Sequence, residues 1–176
     1  TAVDIYKAST AGWVLVPFFN IISFTAAGTD TPMDGDTLTQ GGATATIQRV
    51  MISSGTIVGG TAAGTFVITT PNLGFTAGPA TTSSGTTLTL SGAQTPIVLL
   101  PGGQFEFAKG NFSGQLITRR IYGCDGVNKA FEFDGTTLAP ITTGLSPVYV
   151  EVQRDFERLF LNLFHDIFGQ FPAVVV

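Results

Sequence analysis

The chain has little of what most catalytic and metal sites are built from. Among its 176 residues there is one cysteine, Cys124, and one histidine, His165. A single cysteine excludes an intrachain disulfide framework, and a single histidine excludes a histidine-rich metal site. Charged residues make up only 11% of the chain, against roughly 25% in an average soluble domain. This shortage predicts surfaces that are covered by neighbouring molecules or built from Thr, Ser and Gly.

Basic charge and long apolar runs are also scarce. Eight Lys and Arg against twelve Asp and Glu give a net charge of −4. No basic patch is available to neutralise phosphates, so we expect no contact with nucleic acid. No apolar run reaches the ~20 residues that a membrane span needs, so no membrane contact is expected either. The chain starts at Thr1 rather than Met and ends in Ala-Val-Val-Val, which indicates a processed chain or part of a longer one.

The most regular stretch predicts an antiparallel meander. Two Phe-Glu-Phe triplets, at 105–107 and 131–133, alternate large apolar residues with a polar one. Period-two alternation places both Phe rings of a triplet on one face of a strand and the Glu on the other. Asp125-Gly126 and Asp134-Gly135 are strong turn dipeptides, because Gly adopts the positive φ that tight turns require. We therefore expect hairpins with one face buried and one face in solvent over 101–155.

The N-terminal segment, 1–23, predicts a hairpin of the same kind. Residues 12–17 (GWVLVP) and 135–140 (GTTLAP) share a Gly turn, two residues, Leu, a small apolar residue and Pro. Such an internal repeat of one hairpin is typical of a propeller blade. Segment 24–100 is rich in Thr, Ser, Gly and Ala, which is the composition of a linker, but its β-branched and aromatic residues are spaced as strands. We favour a small folded β module, a barrel or a sandwich, inserted between the flanking hairpins.

The C-terminal segment, 156–176, allows two interpretations. Its apolar residues recur at helical spacing, with Asp155 as the cap and Gly169 at the end, yet Arg158-Leu159-Phe160-Leu161 also fits a strand that continues the meander. The residues of the helical stripe are candidates for a subunit interface: Phe156, Leu159, Phe160, Leu163, Phe164, Ile167 and Phe168. The predicted fold class is therefore all-β, with antiparallel meander or propeller-like hairpins, an inserted β module and either a helix or a strand over 156–168.

No group of residues predicts catalysis, a cofactor or a metal. Cys124 has no identified neighbour that lowers its thiol pKa, so a packed, unreactive thiol is expected. The acidic residues Asp30, Asp34 and Asp36 lack the closing Glu of a calcium loop, which favours a solvated turn. Glu106 and Glu132 imitate a glycosidase pair, but they occupy equivalent positions in similar strands, and repeated sheet architecture explains them better.

Several runs of residues resemble virion structural proteins of tailed bacteriophages and prophages. They are Tyr122 to Thr137 (YGCDGVNKAFEFDGTT), Pro140-Ile141, and 157–161 (ERLFL). Upstream, Phe24-Thr25-Ala26 with 35–41 (GDTLTQG) and 43–47 (ATATI) resembles a small β repeat of phage tail and neck proteins. The resemblance implies propeller-like repeats and a place in the virion. A blade takes roughly 40–45 residues, so this chain holds less than a full ring.

The leading hypothesis is a non-enzymatic structural subunit of a phage neck, tail or capsid surface. Its expected partners are copies of itself and other virion structural proteins. The alternative is a carbohydrate-binding adhesin module that uses Trp13 and Tyr122 as stacking platforms for sugar rings. A glycosidase that acts through Glu106 and Glu132 is the third hypothesis.

Overall fold

The computed structural model describes residues 2–28, 30–111, 119–141, 149–153, 158–162 and 173–175. Within these ranges the chain forms β-strands and no helix, and all strand pairings are antiparallel. The chain divides into two compact units. One unit is Phe18–Ile97, and the other combines Thr1–Pro17 with Val98–Val176.

The unit Phe18–Ile97 is a closed six-stranded barrel. Strand β3 pairs with both β6 and β8, so the order β3-β6-β5-β4-β7-β8 returns to β3, and a short strand β9 pairs with the beginning of β3. Of the two module types expected from the sequence, the barrel is the one formed. Its strands are β3 (Asn20–Ala27), β4 (Thr37–Gln40), β5 (Ala43–Ser54), β6 (Ala62–Ile68), β7 (Gly78–Thr82), β8 (Thr87–Leu90) and β9 (Thr95–Pro96).

Alternating side chains fill the interior of the barrel. In β5, Ala43, Ala45 and Ile47 are buried while the Thr residues between them are partly exposed. The rings of Phe24 and Phe66 stack at the centre with centroids 4.2 Å apart. Burying one side chain of this size contributes roughly 1.5–3 kcal/mol to the free energy of folding. Because several such side chains are buried, the Thr- and Gly-rich sequence still has a substantial core. The fully buried large side chains also include Ile22, Leu38, Ile68, Phe75 and Leu90.

The first and last strands of this unit are direct neighbours. Asn20 lies opposite Pro96 and Ile21 opposite Thr95, and the N–H of Ile97 donates to the carbonyl of Phe19 over 2.9 Å. The unit therefore closes upon itself where the chain enters and leaves it. The expected domain boundaries at 23, 100 and 155 stay a prediction.

The second unit contains a hairpin, a four-stranded meander and a three-stranded sheet. The meander follows chain order, β10-β11-β12-β13, and the last sheet is β14-β15-β16. The strands are β1 (Tyr6–Ser9), β2 (Gly12–Leu15), β10 (Glu106–Gly110), β11 (Arg120–Cys124), β12 (Phe131–Phe133), β13 (Leu138–Pro140), β14 (Tyr149–Gln153), β15 (Arg158–Asn162) and β16 (Ala173–Val175).

An aromatic cluster packs on one face of the meander. The ring of Phe131 meets those of Phe105 and Phe107 edge-on, with centroids 6.3 Å away in both cases. It lies across Gly123, where a Cβ atom would be 2.4 Å from the ring. Gly123 is opposite Phe131 in the pairing of β11 with β12, so the glycine makes room for its cross-strand aromatic neighbour. Phe105 and Phe107 thus share one face, as the alternation predicted. The expected division into one buried and one solvent face is wrong here, since Phe107 is 55% exposed on this face and Tyr122 and Cys124 are buried on the other.

The two Asp-Gly turns of the meander share one hydrogen-bonding pattern. Asp125 Oδ1 accepts the N–H of Val127 and of Asn128 over 3.0 and 2.7 Å. Asp134 Oδ1 accepts the N–H of Thr136 and of Thr137, both over 2.8 Å. In each turn the carboxylate takes the place of a backbone acceptor, which is why Asp rather than another turn residue precedes the Gly.

The C-terminal segment differs from the helical interpretation. Arg158–Asn162 is strand β15, paired with β14 on one side and β16 on the other. Leu and Phe suit either state, and pairing with strands on both sides places these residues in the extended conformation. A helix through 156–168 is therefore wrong for these five residues, and the strand alternative holds there.

Candidate interaction surface

The hairpin β1–β2 presents the most exposed group of large apolar side chains in the described residues of its unit. Its two-residue loop is fixed locally. The Oγ of Ser9 accepts the N–H of Ala11 over 3.1 Å and donates to the carbonyl of Gly12 over 2.9 Å. Gly12 adopts a φ of 108°, which side-chain-bearing residues rarely adopt. The loop thereby sets the register in which Tyr6 faces Leu15 and Ala8 faces Trp13.

One face of the hairpin, which we call the inner face, is held against its own unit. It carries Ile5, Lys7, Val14 and Val16, of which Val16 is buried and Val14 is 41% exposed. The N–H of Val16 donates to the carbonyl of Ile5 over 2.8 Å. The Nζ of Lys7 donates to the carbonyl of Gly135, in the turn between β12 and β13. The Lys7 contact and the burial of Val16 show that the opposite side of the hairpin faces solvent.

The opposite face, which we call the outer face, carries Tyr6, Ala8, Trp13 and Leu15. The exposed fractions are 53% for Tyr6, 76% for Trp13 and 48% for Leu15. An antiparallel hairpin normally turns polar side chains to water on one side, but here the face turned to solvent is apolar. The outer face offers apolar contact, aromatic stacking and two hydrogen-bond donors, the Tyr6 hydroxyl and the Trp13 indole N–H.

The two proposed stacking residues are in different environments. Trp13 is the most exposed of the large side chains on the outer face, whereas Tyr122 is only 7% exposed and packs with Cys124 and Ala130. Tyr122 lies opposite Ala108 and Glu132 in the meander, on the face away from the Phe cluster. The structure thus differs from the expected exposed ring, because apolar side chains cover both faces of the meander at this strand. The neighbour that sequence reasoning missed is Tyr6, which the two-residue loop brings to the face of Trp13.

The other predicted interface residues lie in the C-terminal segment. The backbone of Leu159 and Phe160 belongs to β15, opposite Val152 and Glu151 of β14. The remaining five lie outside the described residues: Phe156, Leu163, Phe164, Ile167 and Phe168. His165 lies outside them as well.

Two residues of the acidic group, Asp34 and Asp36, make their contacts within the barrel itself. The carboxylate of Asp36 accepts the N–H of Met33 and the hydroxyl of Ser83, each over 2.8 Å. Burial alone would raise the pKa of Asp36, but hydrogen bonds from Met33, Ser84 and Ser83 outweigh it and hold the pKa below its ordinary value of 3.8. Asp34 contacts Arg49, with 3.2 Å between carboxylate and guanidinium. Across the described ranges, no three His, Cys, Asp or Glu residues are grouped so as to hold a metal ion.

The other candidate residues, Cys124, Glu106 and Glu132, lie in the meander. Burial raises the pKa of the Cys124 thiol to about 12, and the charges of Asp125 and Glu106 act in the same direction. Such a thiol is protonated at neutral pH and is a poor nucleophile. Glu132 approaches Arg120 to 3.8 Å. Glu132 lies on β12 and Glu106 on β10, with β11 between them, so the backbones of these two strands are roughly 10 Å apart.

In the part of the chain that the structure describes, no helix is long and apolar enough to cross a membrane. Comparisons of the chain with protein-family models, curated proteins and solved structures gave no match.

Proposed function

We propose that the chain is a non-enzymatic structural subunit of a phage particle, in the neck, the tail or the capsid surface. It acts through contacts with copies of itself and with other virion proteins. The observation that carries this proposal is the outer face, because Tyr6, Trp13 and Leu15 are all exposed there, whereas Val16 is buried on the inner face and Ile5 and Lys7 are partly buried. The exposed parts of Tyr6, Trp13 and Leu15 amount to about 400 Å² of mostly apolar surface, which is large for two short strands.

The propeller-like part of the proposal rests on the meander. Glu106 to Pro140 holds four antiparallel strands in chain order, which is the strand number and connectivity of one propeller blade. A blade is covered by the blades next to it, and Phe107 and Ile121 remain exposed on the Phe side of this meander. In the proposed particle, other copies or other proteins supply the neighbouring blades. The C-terminal residues around Leu159 and Phe160 are the second proposed contact.

The test is incorporation of matched variants into particles. Trp13→Asp places a charge on the outer face, and we expect fewer copies of the chain in assembled particles seen by electron microscopy. Val58→Asp is the control, because Val58 is 87% exposed on a loop of the barrel and its replacement leaves the hairpin unchanged. Equal incorporation of both variants and the unsubstituted chain would contradict the proposed role of the outer face.

A second candidate function is carbohydrate binding by an adhesin module. The observation that favours it is that Tyr6 and Trp13 lie diagonally on one face of the hairpin, with both rings open to solvent. Aromatic faces of this kind suit the apolar faces of sugar rings. This hypothesis predicts saturable binding to a host glycan that Trp13→Ala abolishes and Val58→Ala leaves unchanged. A glycan panel with no response from the unsubstituted chain would exclude it.

A further inference from the structure

Strand β2 has an open edge in addition to its apolar outer face. The N–H of Val16 donates to the carbonyl of Ile5, so Ile5 and Val16 form a hydrogen-bonded pair. Hydrogen-bonded pairs recur at every second residue of an antiparallel ladder, so the N–H and C=O groups of Val14 also point towards β1. The N–H and C=O groups of Trp13 and Leu15 therefore point away from the hairpin. Among the described strands β2 pairs only with β1, and no backbone hydrogen bond within the described ranges uses these four groups.

The β2 edge lacks the features that keep sheet edges from pairing with other chains. Natural edges are protected by charged residues, Pro or bulges. Edge strand β13 ends in Pro140, and β10 carries Glu106 and Lys109. Strand β2 is Gly-Trp-Val-Leu, with no charge, no Pro and a regular register. A two-stranded sheet is also marginally stable alone, and three or more strands are needed for independent stability.

We infer that β2 pairs antiparallel with β2 of a second copy, about a two-fold axis at Val14. This inference rests on the proposed function and names the partner at the hairpin. The register centred on Val14 uses all four outward groups of each strand: Trp13 pairs with Leu15 of the second copy through two hydrogen bonds, and Leu15 pairs with its Trp13 in the same way. The result is a four-stranded sheet.

The side chains at this seam are complementary. Trp13 and Leu15 lie on the same outer face, so each Trp ring packs beside a Leu of the other copy at the short distance of a directly opposed pair. Because these side chains stand side by side on one face of the sheet, pairing covers their flanks and leaves the rest of the outer face in solvent. The buried area is therefore well below the ~1,200 Å² of standard stable interfaces. The structure therefore predicts a reversible dimer that is favoured at high local concentration, as in a particle.

Disulfide trapping in the full chain tests this register. The pair at the axis is of the non-hydrogen-bonded type, with Cα atoms about 4.5 Å apart, which is within the range of a disulfide. Val14→Cys should give a covalent dimer when an added oxidant such as diamide removes two electrons and two protons from the two thiols. Thr10→Cys, in the exposed loop of the same hairpin, is the matched control and should give little dimer. The native Cys124 is buried and stays protonated, so it does not interfere.

A second variant tests the edge itself. Leu15→Pro removes an outward N–H and leaves the bonds of β2 to β1 in place, so the concentration-dependent dimer mass of the unsubstituted chain should be lost in light scattering. Equal trapping of both Cys variants, no trapping of either, or a monomeric unsubstituted chain at the highest concentration would overturn the pairing. If trapping fails while Trp13→Asp still prevents incorporation into particles, the proposed function stands and the hairpin binds a different protein.

Discussion

Replacing Gly64 by Ala should weaken the barrel because the new methyl group has no space. Gly64 lies on β6 opposite Ile52 of β5, and a Cβ atom there would be 2.0 Å from the carbonyl oxygen of Met51. The colliding atom is backbone, so the strands must separate locally by about 1 Å or more.

The size of the effect follows from the strand pairing at this site. Separating β5 from β6 disturbs about two backbone hydrogen bonds, each contributing roughly 0.5–1.5 kcal/mol, and overpacking adds strain of roughly 1–3 kcal/mol. We expect Gly64→Ala to lower the free energy of unfolding by about 2–4 kcal/mol. The control is Gly74→Ala, because Gly74 has an ordinary φ and no atom within 4 Å of its Cβ position. It should be neutral or stabilise by up to about 1 kcal/mol.

Urea unfolding measures the free energies, and amide hydrogen exchange of β5 and β6 shows that the loss lies in the barrel. If Gly64→Ala unfolds within about 0.5 kcal/mol of the unsubstituted chain, the close approach of the two strands is not as described and the reasoning fails.

Three further predictions concern single side chains. Phe66→Ala should lower the free energy of unfolding by about 3–5 kcal/mol, measured in urea, while Val58→Ala on the exposed loop should change it by less than about 0.5 kcal/mol. Because the pKa of Asp36 is lowered by folding, its contribution to stability is complete above the ordinary value of 3.8 and is lost as the pH falls through the lower folded-state value. Asp36→Asn should therefore flatten the acid dependence of the free energy of unfolding. An unchanged pH profile in this variant would contradict the prediction. The Cys124 thiol, with its pKa raised to about 12, should react with a thiol reagent at pH 8 only after unfolding, and rapid labelling of the folded chain would show that it is not buried.

The sequence predicted those features that depend on neighbouring residues. Alternation in the triplet at 105–107 predicts that Phe105 and Phe107 share one face, and the Asp-Gly dipeptides mark turns of the meander. Closure of the barrel depends on β3 pairing with β6 and β8, which are far away in the chain, and no local pattern encodes that choice. Tyr122 shows the same limit, since alternation assigns a residue to a face but does not say what covers that face. At 158–162 the helical period was misleading because pairing with β14 and β16 decides the state.

The pairing of β3 with β9 affects how the rest of the chain folds. For the flanking unit, Phe18–Ile97 is a connection of about 80 residues, and closing a flexible loop of that length is entropically unfavourable. Once the barrel has formed, Ile21 and Thr95 are cross-strand partners about 5 Å apart, so the connection behaves as a short turn. With about 0.6 kcal/mol for each doubling of loop length, the difference is about 2–3 kcal/mol. If the barrel folds first, it shortens the effective loop between segments that are distant in sequence. Val3 and Leu99, which share a backbone hydrogen bond, are one such pair.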